Sequence, residues 1–376
     1  MKKILVLAHK NYLRPSLRYR IIYPLEYMKT KKIIDYKLLS VYSVKTETLM
    51  STRKQVLKAI SMFFDICVFG VKFIVECRKD YDFIFVKDFI FPLGGNFTEW
   101  IFYILLKNKT IIYDLDDAIY FNHTRVQNAF FSQFRKMDQK DLFWIKYAKK
   151  VIIPNNIMQE DLEKKYHLKR NDEVILITCP KKQQYYDIAD DIDKKTIDGE
   201  IPIVWLGSPH TQGELDIFDD VIRKILLEFP EARIYLIGTG YDYEGNIMDN
   251  RIIKVEWNPS NEVFFMRKAI FGFNPLRNDI FQQRKSAFKV IQYYRAGIFP
   301  IVSDVGINGG LIDEYGGFCI GKNTNMDSLI YEMRLHINHV NENSKKIYKN
   351  SYNLTVENYA QIIGKEIFMT EIGEEN

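Results

Sequence analysis

The stretch that decides the fold runs from Gly272-Phe-Asn-Pro-Leu276 through Gln282-Gln-Arg-Lys-Ser-Ala-Phe-Lys-Val-Ile-Gln-Tyr-Tyr-Arg-Ala-Gly297 to Phe299-Pro-Ile-Val-Ser-Asp-Val-Gly-Ile-Asn-Gly309 and Tyr315-Gly-Gly-Phe318. Asn274 and Pro275 end a short apolar run, Lys285, Ser286 and Lys289 open an amphipathic segment that stops at Gly297, and Phe299–Ser303 reads as the next buried strand. Strand, basic helix, strand is the grammar of a parallel α/β sheet. A helix N-terminus offers unpaired N–H groups and the positive end of its dipole, and lysines added there suit a phosphate. Lys285 and Lys289, four apart, are expected on one helix face.

Working outward, apolar runs at Ile4–Ala8, Phe83–Val86, Thr110–Tyr113 and Val151–Pro154 alternate with helical patterns such as Leu17–Thr30 and Gln55–Cys77. The second half repeats the scheme with Ile203–Leu206, a helix over Leu215–Phe229, Ile234–Ile237, Phe271–Asn274 and Pro300–Ser303. With 376 residues, the chain divides into two α/β domains, each able to bury its own core. The charged, aperiodic Lys181–Gly199 reads as the linker.

The ordered set, from Ile203-Val-Trp-Leu-Gly-Ser-Pro209 through Ile234-Tyr-Leu-Ile-Gly-Thr-Gly240 to Gly317, resembles the C-terminal domain of nucleotide-sugar glycosyltransferases of the GT-B fold, in particular glycosyltransferase family 4 of the bacterial surface-polysaccharide type. The resemblance implies two Rossmann-like domains facing across a cleft. Residues 1–180 would bind the acceptor, 181–199 would link, 200–350 would bind the nucleotide sugar, and a helix within 351–376 would cross back to the first domain. It implies sugar transfer to a glycan or lipid-linked acceptor, with retention and without metal. The nucleotide sugar is a substrate, so no cofactor is expected.

The donor set follows from the same likeness. The loop Gly207-Ser208-Pro-His-Thr211 would face the diphosphate, with Gly207 allowing close backbone approach and Ser208 and Thr211 adding donors. The Arg and Lys that the family often carries there are absent, which leaves the positive charge to Lys285 and Lys289, beside Ser286 and the strand-end Asn274. The family's two glutamates would fall on Arg284 and Gln292, and both are replaced. The Gln292 amide could keep the ribose contact.

In the first half, Tyr113-Asp-Leu-Asp-Asp-Ala-Ile-Tyr120 is the sharpest acidic cluster. It imitates a haloacid-dehalogenase nucleophile motif, which lacks its partners here, and the metal motif of GT-A enzymes, which have no second Rossmann-like half. It also resembles the end of an acceptor-domain strand in polysaccharide GT-B enzymes, which would turn Asp116 or Asp117 into the cleft, or leave it to cap the next helix. Lys87 and Asp88 stand where many family-4 enzymes carry a cleft histidine. Asp88, with Asp116 and Asp117, is a candidate to orient or deprotonate the acceptor hydroxyl, and Lys87, Arg14 and Arg18 are candidate phosphate or acceptor contacts. No RNA- or DNA-binding motif accompanies these basic residues.

Residues 1–173 hold 31 Lys and Arg against 19 Asp and Glu, net +12, while the remainder holds 22 against 29, net −7. The basic half suggests an anionic partner, a lipid pyrophosphate or the inner face of the plasma membrane. Four cysteines without metal or disulfide spacing fit a reducing cytosol. Met1–Ala8 reads as a first strand rather than a leader, and Ala59–Val75 is broken by Asp65 and Lys72, short of the roughly 18 uncharged residues of a spanning helix. A non-catalytic homologue that binds a sugar nucleotide or a partner enzyme is the alternative, and a sugar-phosphate hydrolase or phosphorylase a third reading.

Overall fold

The computed structural model describes residues 1–50, 54–91, 95–120, 137–167, 173–194, 199–240 and 243–369. The chain forms two compact units. Unit 1 is Met1–Thr178 with Arg284–Ser286 and Val356–Asn376, and unit 2 is Cys179–Gln283 with Ala287–Thr355.

Unit 1 is built on six parallel strands: β1 (Lys2–Ala8), β2 (Ile34–Ser40), β3 (Phe83–Lys87), β4 (Thr110–Asp114), β5 (Lys150–Ile153) and β6 (Glu173–Ile175), in the order β2-β1-β3-β4-β5-β6. Ile4, Leu5, Val6 and Leu7 are all fully buried, because a parallel sheet covered on both faces leaves no wet side. Alternate side chains serve two cores. Leu5, Leu7, Ile84 and Val86 pack with Phe69, Phe73 and Trp144, while Ile4, Val6, Phe85 and Ile112 pack with Leu17, Ile21 and Leu25. The terminal helix Val356–Glu366 joins the second of these through Tyr359, Ala360 and Ile363.

Unit 2 has β7 (Ile201–Leu206), β8 (Ala232–Ile237), β9 (Ile252–Val255), β10 (Phe271–Asn274), β11 (Phe299–Ser303) and β12 (Phe318–Ile320), all parallel, in the order β12-β11-β10-β7-β8-β9. Read from β9, this is the doubly wound 3-2-1-4-5-6 order of dinucleotide-binding sheets. Of the stretch expected to link the domains, Tyr185, Tyr186 and Ile192 are buried in the unit 2 core with Val204 and Tyr293, and residues 195–198 lie outside the described set.

The central strands coincide with the apolar runs. The edge strands β2, β6, β9 and β12 do not, because they are short or mix buried with half-exposed residues and so lack a continuous apolar run. The basic helix also differs from expectation. It spans Phe288–Arg295 and is preceded by Ala287 in the left-handed region at φ 51°, so Lys285 and Ser286 precede it and Lys285 does not share a helical face with Lys289. The carbonyls of Arg284 and Lys285 accept hydrogen bonds from Asn155 Nδ2 at 3.0 and 3.1 Å, which holds that segment outside the helix.

Gly272 on β10 is packed by an aromatic ring. A Cβ there would meet the Tyr293 ring at 2.8 Å, and that ring is pinned by its hydroxyl, which donates to Phe273 O at 2.8 Å. Gly272→Ala should therefore lower stability by roughly 1–3 kcal/mol. Gly70, mid-helix with open space around it, should accept Ala with a gain of about 0.5–1 kcal/mol. Chemical denaturation of both variants checks the contrast.

Candidate functional site

Ligands of parallel α/β sheets sit beyond the carboxyl ends of the strands where the strand order reverses. In unit 1 the reversal lies between β1 and β3, and in unit 2 between β7 and β10. The side chains that follow these strands are the candidates.

In unit 1 they form a buried charge cluster. The first helical segment carries a π-helical turn at Arg18–Ile22, a distortion that often marks functional places, and it aims Arg20 into the sheet end. Arg20 is fully buried. Its Nε lies 3.0 Å from both Asp114 carboxylate oxygens, another guanidinium nitrogen is 2.7 Å from Asp114 Oδ1, and the third donates to Leu176 O at 3.0 Å and Thr178 Oγ1 at 3.1 Å. Lys87 Nζ is 2.9 Å from Asp114 Oδ2, 3.0 Å from Asp88 Oδ1 and 3.9 Å from Asp116 Oδ2. Burial alone would raise the Asp114 pKa, but Arg20 and Lys87 outweigh it and hold the carboxyl below its ordinary value. Burial likewise opposes the charge on Lys87, and Asp114, Asp88 and Asp116 overcome it.

Asp88 adopts φ 59°, a left-handed conformation that a non-glycine residue holds only at a cost, as is common at functional sites. Asp117 is shifted in the direction opposite to Asp114. Burial first, then repulsion from Asp116, push its pKa up to about 6, against the pull of Lys285. Such a carboxylate is ionised at neutral pH yet a better proton acceptor than an ordinary aspartate. Beside these, His9 stacks on Phe89 at 4.1 Å and is held neutral by burial and by the cations Lys10 and Lys87. Among the described residues no group of three or more His, Cys, Asp or Glu side chains has metal-binding geometry.

Arg14 and Arg18 are placed apart from this cluster. Arg14 precedes the helix in extended conformation and its Nε is 3.1 Å from Glu47 Oε1, while Arg18 donates to Leu13 O at 3.2 Å. Arg20, two residues on, is the arginine that reaches the sheet end. Its signal was its place in the same Arg-rich turn, with nothing in the spacing to prefer it.

In unit 2, β7 runs straight into Gly207. A Cβ on Gly207 would meet the Trp205 indole at 2.1 Å, so the space the glycine leaves is filled by tryptophan. Lys289 Nζ lies 4.7 Å from the centre of the same indole. The Thr211 hydroxyl closes the loop, accepting from Ser208 N at 3.1 Å and donating to Ser208 O at 3.2 Å. Gly238, at φ 87°, passes so near that a Cβ would lie 2.5 Å from Gly207 O. Asn274 ends β10, buried.

The two positions where the family carries glutamates are both engaged. Arg284, counted with unit 1, pairs with Asp161, with its second contact at 2.9 Å. Gln292 Nε2 donates to Tyr185 Oη at 2.8 Å and Glu262 Oε1 at 3.2 Å. Glu262 also accepts from Gln184, from Tyr185 and from Trp257 Nε1, the last at 2.8 Å. Sequence reading missed Glu262, because it lies on a separate helix, Pro259–Lys268, with no motif around it.

No protein-family model matches the chain, and no curated protein matches it in sequence. Solved structures do match in fold. Sucrose-phosphate synthase from Thermosynechococcus elongatus superposes with a TM-score of 0.65 at 10% identity, over 98% of this chain and 99% of that one. A glycosyltransferase from Rickettsia africae gives 0.65 at 14% identity, over 98% of each. HepE of Anabaena, solved with UDP and glucose, gives 0.60 at 12% identity, over 98% of this chain and all of that one. The fold is therefore GT-B, with two Rossmann-like domains.

Two changes probe the unit 1 cluster. Arg20→Met leaves Asp114 buried without its main partner and should cost about 3–5 kcal/mol. Asp117→Asn should do the reverse. Because the folded protein binds that proton more tightly than the unfolded chain, ionising Asp117 costs stability that grows from about pH 4 to about pH 6 and is constant above. The Asn variant should gain on the order of 1 kcal/mol at pH 8 and nothing at pH 4, read from denaturation curves at both.

Proposed function

We propose that the chain is a nucleotide-sugar-dependent glycosyltransferase that extends a glycan or lipid-linked acceptor in bacterial surface-polysaccharide synthesis, with retention and without a metal. The observation that carries it is the pairing of a GT-B fold with charged side chains clustered at the unit 1 switch point. The solved neighbours include one named as a complex with UDP-glucose, which supports a donor of that chemical class.

In this reading unit 2 takes the donor. Lys289, stacked on Trp205, and the N–H groups of the loop Gly207–Thr211 stabilise the departing diphosphate, with Asn274 at the neighbouring strand end and Lys285 and Ser286 adding polar contacts. Gln292, together with Glu262 and Tyr185, forms the polar group that would receive the ribose. Unit 1 takes the acceptor. Its hydroxyl oxygen forms the new bond to the anomeric carbon on the face from which the diphosphate departs, as the bond from that carbon to the diphosphate oxygen breaks, so the configuration is retained. The acceptor proton passes to a carboxylate of the set Asp88, Asp116 and Asp117, of which Asp117 is tuned for it. Lys87 and Arg20 neutralise Asp114 and Asp116, a task that a divalent cation performs in metal-dependent sites. Lys87 is buried and spent on these carboxylates, so of the expected acceptor cations Arg14 and Arg18 are the ones left to face an anionic acceptor.

One observation favours the second reading, a homologue that binds donor without transfer: both glutamate positions are replaced and their substitutes are tied to Asp161, Tyr185 and Glu262.

A thermal-shift panel of nucleotide sugars followed by a transfer assay tests both readings. Lys289→Ala should weaken donor binding by roughly 1.5–3 kcal/mol. Asp117→Asn at saturating donor should keep binding and lose transfer by about a hundredfold or more. Chelation should leave turnover intact. Binding without transfer for any acceptor supports the second reading, and absence of binding to every nucleotide sugar overturns both.

A further inference from the structure

We infer that unit 1 docks on anionic phospholipid bilayers by laying two neighbouring helices into the lipid interface. The helices are Gln55–Glu76 and Gly95–Leu106, which pack side by side through Phe73 and Phe102, ring centres 4.7 Å apart. Only Phe69, Phe73 and Glu76 of the first helix are buried. On the outer faces Phe63, Phe64, Val71 and Phe97 are 67–70% exposed, and Trp100 is 48% exposed. Large apolar side chains exposed on two helices that touch one another mark an interaction surface.

The charges on the same helices identify the occupant. Every carboxylate there is turned inward or already bonded. Asp65 accepts from Ser43 N at 2.7 Å and from Thr46, Glu76 is buried and paired with Lys37 at 2.8 Å and Lys79 at 2.9 Å, and Glu99 is fully buried, accepting from Trp144 Nε1 at 2.6 Å. Among the described residues, the exposed charges on the two helices and within two residues of their ends, Lys54, Lys72, Arg78 and Lys107, are cationic, and the exposed Asp80 lies beyond them. An apolar face rimmed by cations and carrying an interfacial tryptophan matches acyl chains beneath anionic headgroups. Two copies of this face would set cation against cation, which disfavours a dimer. Among the described residues no helix is long and apolar enough to cross the membrane, so the helices lie in its surface. The inference rests on unit 1 alone and not on the transfer reaction.

The test uses the whole chain with neither donor nor acceptor. Sedimentation with phosphatidylcholine vesicles, with and without phosphatidylglycerol, should show binding that depends on the anionic lipid. Lipids brominated in the acyl chain should quench tryptophan emission, and Trp100→Phe should remove most of that quenching. The double variant Phe63→Ser with Phe64→Ser, at positions whose side chains are mostly in water, should fold normally by circular dichroism and bind at least about tenfold more weakly. Absence of vesicle binding overturns the inference. So does binding that salt abolishes without any acyl-chain quenching, which is adsorption of a basic surface, or a dimer in sedimentation velocity that the double variant dissociates while vesicles go unbound.

Discussion

Unit 1 depends on one buried ion cluster. Arg20 reaches from the first helical segment to Asp114 at the end of β4 and to the chain just beyond β6, so a single guanidinium joins the helix, the middle of the sheet and its far edge. A buried arginine with an unmatched carboxylate would be costly, and Lys87 on the intervening strand supplies the balance. The ends of β3, β4 and β6 are thus held in one electrostatic frame. Asp88 takes its left-handed backbone and Asp117 its raised pKa inside that frame.

Unit 2 fixes its strand ends by another device, aromatic rings set on glycines. Trp205 fills the space above Gly207, and Tyr293 packs on Gly272. Each ring lies where any other side chain would stand, so neighbouring strands and loops approach closely. The polar work is left to a compact group around Glu262, which ties Tyr185, Gln292 and Trp257 together. Here the positions at which the glycosyltransferase family that the sequence resembles places glutamates hold an amide and an arginine. The amide keeps a carboxylate close by, because Glu262 arrives from another helix.

Much of the fold was legible because buried parallel strands must be apolar on both faces, as Ile4–Leu7 and Ile203–Leu206 are. The edge strands were not legible, since β2 and β9 have a half-wet environment and their residues need not declare a period. The helix at Phe288–Arg295 was read too long at its start. Ala287 gives no sign in its side chain of a positive φ, and the hydrogen bonds from Asn155 that hold Arg284 and Lys285 outside the helix come from a residue far back in the chain.

For the site, sequence by itself determined which residue types stand at strand ends: Lys87 and Asp88, the acidic run Asp114–Asp117, Gly207 and Asn274 all follow apolar runs directly, and side chains after a parallel strand sit at the ligand-bearing edge. What each does there was decided by tertiary structure alone. Arg20 is chosen over Arg14 and Arg18 by a π-helical turn that rotates it into the sheet. Asp117 acquires a raised pKa from burial and from repulsion by Asp116, whereas Asp114, equally buried, is held low by Arg20 and Lys87. The bonding of Asp65, Glu76 and Glu99, which leaves Lys72 as the exposed charge beside the exposed phenylalanines on the described helix, is likewise a fact of packing. Spacing along the chain fixes neighbours in sequence, whereas charge balance and exposure are set by groups that meet only when the chain has folded.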